Sequence, residues 1–296
     1  MKPIRRFFIF FVIFPLFPFS ATSADYTNLI FKGCTSQKLP DPSGVFSQNL
    51  ENLFSSLVAQ SSQRSFATTT TTGNDQNALV GLFQCRGDLT ASQCYDCVSR
   101  VPKLVSKLCG ADNAAARVQL AGCYLRYEVS GFRQTDPTEM LYRVCGKRHS
   151  GDPGFVGKRE SAFGMAENGV KTSGGGGGGF YAGEYEEVYV LGQCEGSLGN
   201  SECGECVKSG FEKAKSECGD SISGQIYLHR CFISYSYYPH GVPNISSFSD
   251  GGKKGHQHTQ RTVALAVGGV AVLGFVIVCL MFVRSVFRRK SKRDGY

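Results

Sequence analysis

The sequence predicts an α+β protein made of two tandem disulfide-rich modules. Each module is expected to be a small antiparallel sheet with two helices on one face, and a single transmembrane helix follows the pair. Three observations carry this. One cysteine pattern occurs twice, first as Cys85, Cys94, Cys97, Cys109 and Cys123, then as Cys194, Cys203, Cys206, Cys218 and Cys231. The intervening gaps are eight, two, eleven and thirteen residues in the first copy and eight, two, eleven and twelve in the second. Each copy has one more cysteine about fifty residues upstream, Cys34 and Cys145, so two sets of six lie about 109 residues apart and Cys279 is left over. Repetition at a fixed period marks one supersecondary unit used twice.

The second observation is the leader. Lys2, Arg5 and Arg6 precede an apolar run from Phe7 to Phe19, and Thr22-Ser23-Ala24 offers a small-residue cleavage site. Residues 1–24 therefore read as a secretory signal peptide, with the mature chain starting near Asp25. Secretion places the twelve paired-pattern cysteines in an oxidising compartment, where an even-numbered framework forms disulfides.

The third is the alternation of strand-like and helix-like stretches within each copy. Tyr26 to Phe31 reads as a strand ending near Cys34. Ser43 is placed to cap a helix over 44–60, where Phe46, Leu50, Leu53, Phe54 and Leu57 recur at helical spacing. The Thr run at 68–72 suits a loop or an edge, and 77–85 a strand. Thr90 or Ser92 can cap a second helix carrying Cys94 and Cys97. At i and i+3 these two share a side and reach different partners, while Pro102 should kink or shorten the helix. Residues 116–129 alternate well enough for one long strand, and 139–144 form another leading to Cys145. The second copy repeats the order with a weaker helix at 154–168, a flexible loop at Gly174–Gly179, a strand at 184–193, a helix at 201–216 and a strand at 225–238. The first module is thus bounded at 25–135 and the second at 136–238.

Beyond them, residues 239–261 are rich in Gly, Ser, Lys and His and read as an extracellular stalk. Within it Asn244-Ile245-Ser246 is a candidate N-glycosylation site. Thr262 to Val283 runs 22 positions without a charge, enough to cross a bilayer, and the basic tail 284–296 marks the cytosolic side. With a cleaved leader this is a single-pass type I topology whose cytosolic tail is too short for a catalytic domain. Ala264 and Gly268 form a small-xxx-small pair that could seat a partner helix and make a homo-oligomer. Cys279 is a candidate for palmitoylation, with burial among apolar side chains as the plainer reading.

The formal charge of +8 belongs to the ends. Leader and tail hold the excess, and residues 25–283 balance at 23 basic and 23 acidic side chains. No basic field is left for nucleic acid. The Cys94/Cys97 and Cys203/Cys206 pairs could be zinc ligands by spacing, but each belongs to its own set of six and secretion disfavours zinc thiolates. The histidines, His149, His229, His240, His256 and His258, do not recur at matching positions. His256 and His258 read as part of a solvated stalk. No nucleophile elbow, paired-carboxylate signature or phosphate loop is evident, so neither enzyme activity, a metal nor a cofactor is expected.

The C-x8-C-x2-C core, with Gln84 before it and Arg86-Gly87-Asp88-Leu89 after its first cysteine, resembles the cysteine-rich domain of ginkbilobin-type antifungal proteins, found in tandem in cysteine-rich receptor-like kinases. Two copies, one span and a very short tail resemble the plasmodesmata-located protein family. Phe31-Lys32-Gly33-Cys34, Gly81 to Leu89 and Ala116 to Leu120 are close to that family's wording. The resemblance covers residues 25–296 in organisation and is looser in the second module.

This resemblance implies a disulfide pairing of first with fifth, second with third and fourth with sixth cysteine. That is Cys34–Cys109, Cys85–Cys94 and Cys97–Cys123, then Cys145–Cys218, Cys194–Cys203 and Cys206–Cys231. The antifungal relative binds mannose through an Asn, an Arg and a Glu. Arg117 and Glu128 match the last two and are the candidate ligand residues, but Thr35 stands in place of the Asn. The second module has Gly146, Gln225 and Ser236 there. Mannose binding is therefore not expected, and a cross-strand ion pair between Arg117 and Glu128 is the favoured reading. The family implies a non-enzymatic membrane protein at plasmodesmata, its modules in the apoplast, that modulates cell-to-cell traffic and callose and docks viral movement proteins. Other plasmodesmal or receptor proteins and cell-wall polysaccharide are further partners to expect. The competing class is an anchored apoplastic lectin, antifungal defence protein or co-receptor.

Overall fold

The structure, a computed structural model, describes residues 25–71, 78–110, 112–131, 136–173 and 179–239. The leader, the stalk beyond residue 239 with Asn244, the 262–283 segment with Cys279 and the basic tail lie outside the described residues, as does most of the Gly174–Gly179 run. Among the described residues no helix is long and apolar enough to cross a membrane.

The first module runs β1 (Leu29–Cys34), α1 (Val45–Ser61), β2 (Phe66–Thr70), β3 (Leu79–Cys85), α2 (Ala91–Leu108), β4 (Ala115–Leu120) and β5 (Cys123–Val129). The second repeats it as β6 (Met140–Cys145), α3 (Phe155–Thr172), β7 (Phe180–Tyr185), β8 (Val188–Cys194), α4 (Asn200–Cys218), β9 (Ser223–Leu228) and β10 (Cys231–Tyr237). The sheets are antiparallel, ordered β1-β4-β5-β3-β2 and β6-β9-β10-β8-β7. In each, both helices cover one face.

The helical stripe foreseen in α1 is the one buried: Phe46, Leu50, Leu53, Phe54 and Leu57 meet Phe83, Val118 and Leu125 of the sheet and Val98, Val101 and Val105 of α2. Each such side chain contributes about 1.5–3 kcal/mol by leaving water. Disulfides then fasten helix to sheet. Cys94 joins Cys85 at the end of β3, Cys97 joins Cys123 at the start of β5, and Cys109 just past α2 joins Cys34 of β1. In the second module Cys203 joins Cys194, Cys206 joins Cys231 and Cys218 joins Cys145. Each is worth about 2–4 kcal/mol through restriction of the unfolded chain.

Several boundaries differ from those the sequence suggests. The single strand over 116–129 is a hairpin: β4 and β5 pair antiparallel, so the chain reverses at Ala121-Gly122. The 225–238 stretch folds the same way into β9 and β10. The 184–193 strand is also two, because Glu186 and Glu187 adopt positive φ (42° and 70°) and turn the chain between β7 and β8. That is the geometry of a tight hairpin, rarely taken by glutamate. Pro102 does not shorten α2, which runs from Ala91 to Leu108 through it. The disulfides at both ends of α2 and the burial of Val98, Val101 and Val105 outweigh one lost backbone hydrogen bond. Thr90 caps that helix, its hydroxyl accepting from the Gln93 amide while the Gln93 side chain accepts from the Thr90 amide. At α1 the cap is Asp41 rather than Ser43. Its carboxylate accepts from the amides of Phe46 (3.0 Å) and Ser47 (2.9 Å), and these bonds hold its pKa below the usual carboxylate range.

Candidate functional site at the module junction

The faces turned away from the helices meet each other. In the first sheet one cross-strand row reads Phe31, Gln119, Tyr124, Gln84, Phe66. The equivalent row in the second reads Tyr142, Tyr227, Phe232, Gln193, Phe180. These residues alternate with Val118, Leu125, Phe83 and their counterparts, which face the helices. Half of each sheet's side chains is thereby left for the junction.

The two rows contact one another as near mirror copies. Phe31 stacks on Tyr142 with ring centroids 5.2 Å apart. The Gln193 side chain accepts from the Gly87 amide and donates to the Cys85 carbonyl, while the Gln84 side chain accepts from the Gly196 amide. Gly87 lies under Phe180 and Gly196 under Phe66. A Cβ on either glycine would come within 2.4–2.5 Å of that ring, so both positions require glycine. Both glutamines are buried and hydrogen-bonded, the condition for burying an amide without penalty.

Symmetry breaks at one place. Glu195 stands where the first module has Arg86. Arg86 pairs with its neighbour Asp88, whereas Glu195 is only 2% exposed and reaches into the other module. Its carboxylate accepts from the Tyr124 hydroxyl (2.8 Å), Ser197 (2.7 Å), Arg230 (3.1 Å) and Arg126 (3.3 Å). Burial alone would raise its pKa. Arg126, Ser197, Tyr124 and Arg230 outweigh burial and hold it below the usual range, so it is an anion. Burial, with that anion alongside, pushes the Tyr124 phenol up.

Arg117 completes the cluster. Its guanidinium lies 3.9 Å from the Tyr124 ring centroid and donates to the His229 carbonyl (2.7 Å) and the Gln119 side chain (3.1 Å). Its Nε and the His229 Nδ1 are buried without a hydrogen-bond partner. Burial, then the charges of Arg126 and Arg117, push the His229 imidazole down to about 4.

Arg117 and Glu128 do not pair. Arg117 stands opposite Arg126, while Glu128 stands opposite Ala115, two rows further along the sheet. The partner of Glu128 is Arg126, at 3.6 Å. Of the two candidate ligand residues, Arg117 is thus engaged by the second module and Glu128 sits at the rim. Among the described residues no cluster of three or more His, Cys, Asp or Glu is placed to hold a metal. What the junction offers is adhesion, with every carboxylate oxygen of Glu195 occupied. Glu195, Tyr124 and the two glutamines were not singled out as a site from sequence. The one available signal was the Gln-Cys pair recurring 109 residues apart at Gln84 and Gln193.

Two disulfide-clamped modules locked by a shared face define a tandem cysteine-rich protein. The Salt stress response/antifungal family profile matches residues 33–130 and 159–238. Plasmodesmata-located protein 1 of Arabidopsis thaliana is 68% identical over 306 residues, covering 100% of both chains. Plasmodesmata-located protein 2 of the same plant is 51% identical over 94% of this chain and 92% of that one. Among solved structures, the tandem DUF26 ectodomain of the Arabidopsis thaliana cysteine-rich receptor-like protein PDLP8 superposes with a TM-score of 0.64 at 30% identity, over 71% of this chain and 98% of that one. The chain belongs to the plasmodesmata-located protein family, a group of receptor-like proteins with tandem DUF26 modules.

Proposed function

We propose that this chain is a non-enzymatic, single-pass type I membrane protein of plasmodesmata, its twin-module ectodomain in the apoplast and its short basic tail in the cytosol. In this reading it modulates cell-to-cell trafficking in a callose-linked manner and serves as a docking receptor for viral movement proteins. One observation supports it: the alignment with Plasmodesmata-located protein 1 covers the whole of both chains at 68% identity. The junction supports a recognition body rather than an enzyme, because its buried charged and polar groups are used to join the modules. The anchored-lectin reading is weaker. Arg117, one of its two surviving residues, is engaged by the His229 carbonyl and Gln119.

The test is localisation of a fluorescently tagged full-length chain in plant cells, beside a version whose 262–283 segment is replaced by an unrelated span. Punctate signal across cell walls, coincident with callose and lost on replacement, is expected. Uniform plasma-membrane signal from the intact chain would reject the proposal.

A further inference from the structure

The seam between the two helices is closed in the second module and open in the first. In the second, Phe211 of α4 stacks on Phe163 of α3 with centroids 4.1 Å apart, and Phe163 in turn meets Tyr235 edge-on at 5.4 Å. Above that stack the Lys215 ammonium bridges Glu160 of α3 and Glu212 of α4, 2.8 Å from each. The first module keeps the receiving half of this arrangement. Phe54 stands at the position of Phe163 and meets Tyr127 edge-on at 5.6 Å, and Glu51 stands at the position of Glu160. The filling half is gone: Pro102 replaces Phe211 and Ser106 replaces Lys215. What remains is an open groove of about 460 Å³ floored by Leu50, Phe54, Val58 and Pro102 and rimmed by Glu51 and Lys103. The size falls within the range of small-molecule sites. Neither Glu51 nor Lys103 has an ion-pair partner among the described residues.

We propose that the α1–α2 groove binds a small aromatic amine. The second module shows what this geometry accepts, a planar ring against the phenylalanine of the first helix and an ammonium on the acid one turn before it. A ligand with one ring and one ammonium supplies both missing parts. Apolar surface and stacking favour the ring on Phe54, and charge complementarity places the ammonium on Glu51. Lys103, where the second module has Glu212, disfavours a second cation and accommodates a carboxylate or hydroxyl.

The experiment titrates the detergent-solubilised full chain with tyramine, with 4-methylphenol as the ring without the ammonium and with butylamine as the ammonium without the ring. Saturable tyramine binding is expected, tighter than either fragment by about tenfold or more. A Pro102→Phe/Ser106→Lys variant, which installs the second module's own filling, should lose tyramine binding. Glu51→Gln, a change at an exposed residue, should abolish the preference for tyramine over 4-methylphenol. Absence of saturable tyramine binding, full binding by the filled variant, or an undiminished preference in Glu51→Gln would each overturn the proposal.

Discussion

The two modules have the same strands, helices and bridges, yet they solve two local problems differently. At the helix seam the first module leaves a groove beside Phe54, whereas the second stacks Phe211 on Phe163. At the next core position Leu50 of the first is matched by Arg159 of the second. That buried guanidinium donates to the Gly219 carbonyl just after α4 and lies 5.3–5.9 Å from the ring centroids of Phe155, Phe163 and Tyr235. At the junction, Arg86 stays on its own module while Glu195 crosses to the other. The comparison teaches that cysteines and the helix-facing stripe specify the architecture. The positions free to diverge are those that decide what each module touches.

The largest expected effect is at the junction. Glu195→Ala removes the anion that Arg126 and Arg230 were buried against and should lower stability by about 3–5 kcal/mol, read as a drop in unfolding temperature or denaturant midpoint. The matching Arg86→Ala, a half-exposed pair, should cost far less. If the two cost the same, the asymmetry described above has no energetic content. Next comes the seam. Phe211→Ala should cost about 3–4 kcal/mol by opening the second module's core, bringing it toward the state of the first. A smaller loss would mean that the neighbouring helix closes over the gap.

A pH effect should follow. The His229 pKa is depressed from 6.5 to about 4, so across that interval the unfolded chain binds the extra proton. This histidine's contribution to stability is therefore largest above pH about 6.5 and declines as pH falls toward about 4. His229→Gln should flatten the stability-versus-pH curve there. The first module has Ala121 at the equivalent hairpin turn and no such dependence of its own. The smallest effect belongs to the rim: Glu128→Gln weakens a partly exposed 3.6 Å pair and should change stability by less than about 0.5 kcal/mol. A larger loss would give Glu128 a role beyond that pair.

Much of this was legible in sequence. Cysteine spacing marked the repeat, and the 46-50-53-54-57 stripe marked the buried face of α1. What escaped were the reversals. Ala121-Gly122 carries a weak turn signal between two well-alternating strands, and Glu186-Glu187 carries none, since its positive φ is imposed by the pairing of β7 with β8. Pro102 misled in the other direction, because tertiary anchoring can override a local penalty. The junction was hidden for a further reason. Tyr124 and Gln84 are polar residues on a strand's outer face and Glu195 directly follows β8, and nothing local distinguishes a face that meets solvent from one that meets a second sheet.

The reciprocal glutamine contacts have a consequence for how the chain holds together. Because each half grips the other through groups it possesses in duplicate, the two modules are held together by those contacts and not by backbone continuity alone. The two modules expressed as separate chains should therefore elute as one particle under non-denaturing conditions and come apart once unfolded.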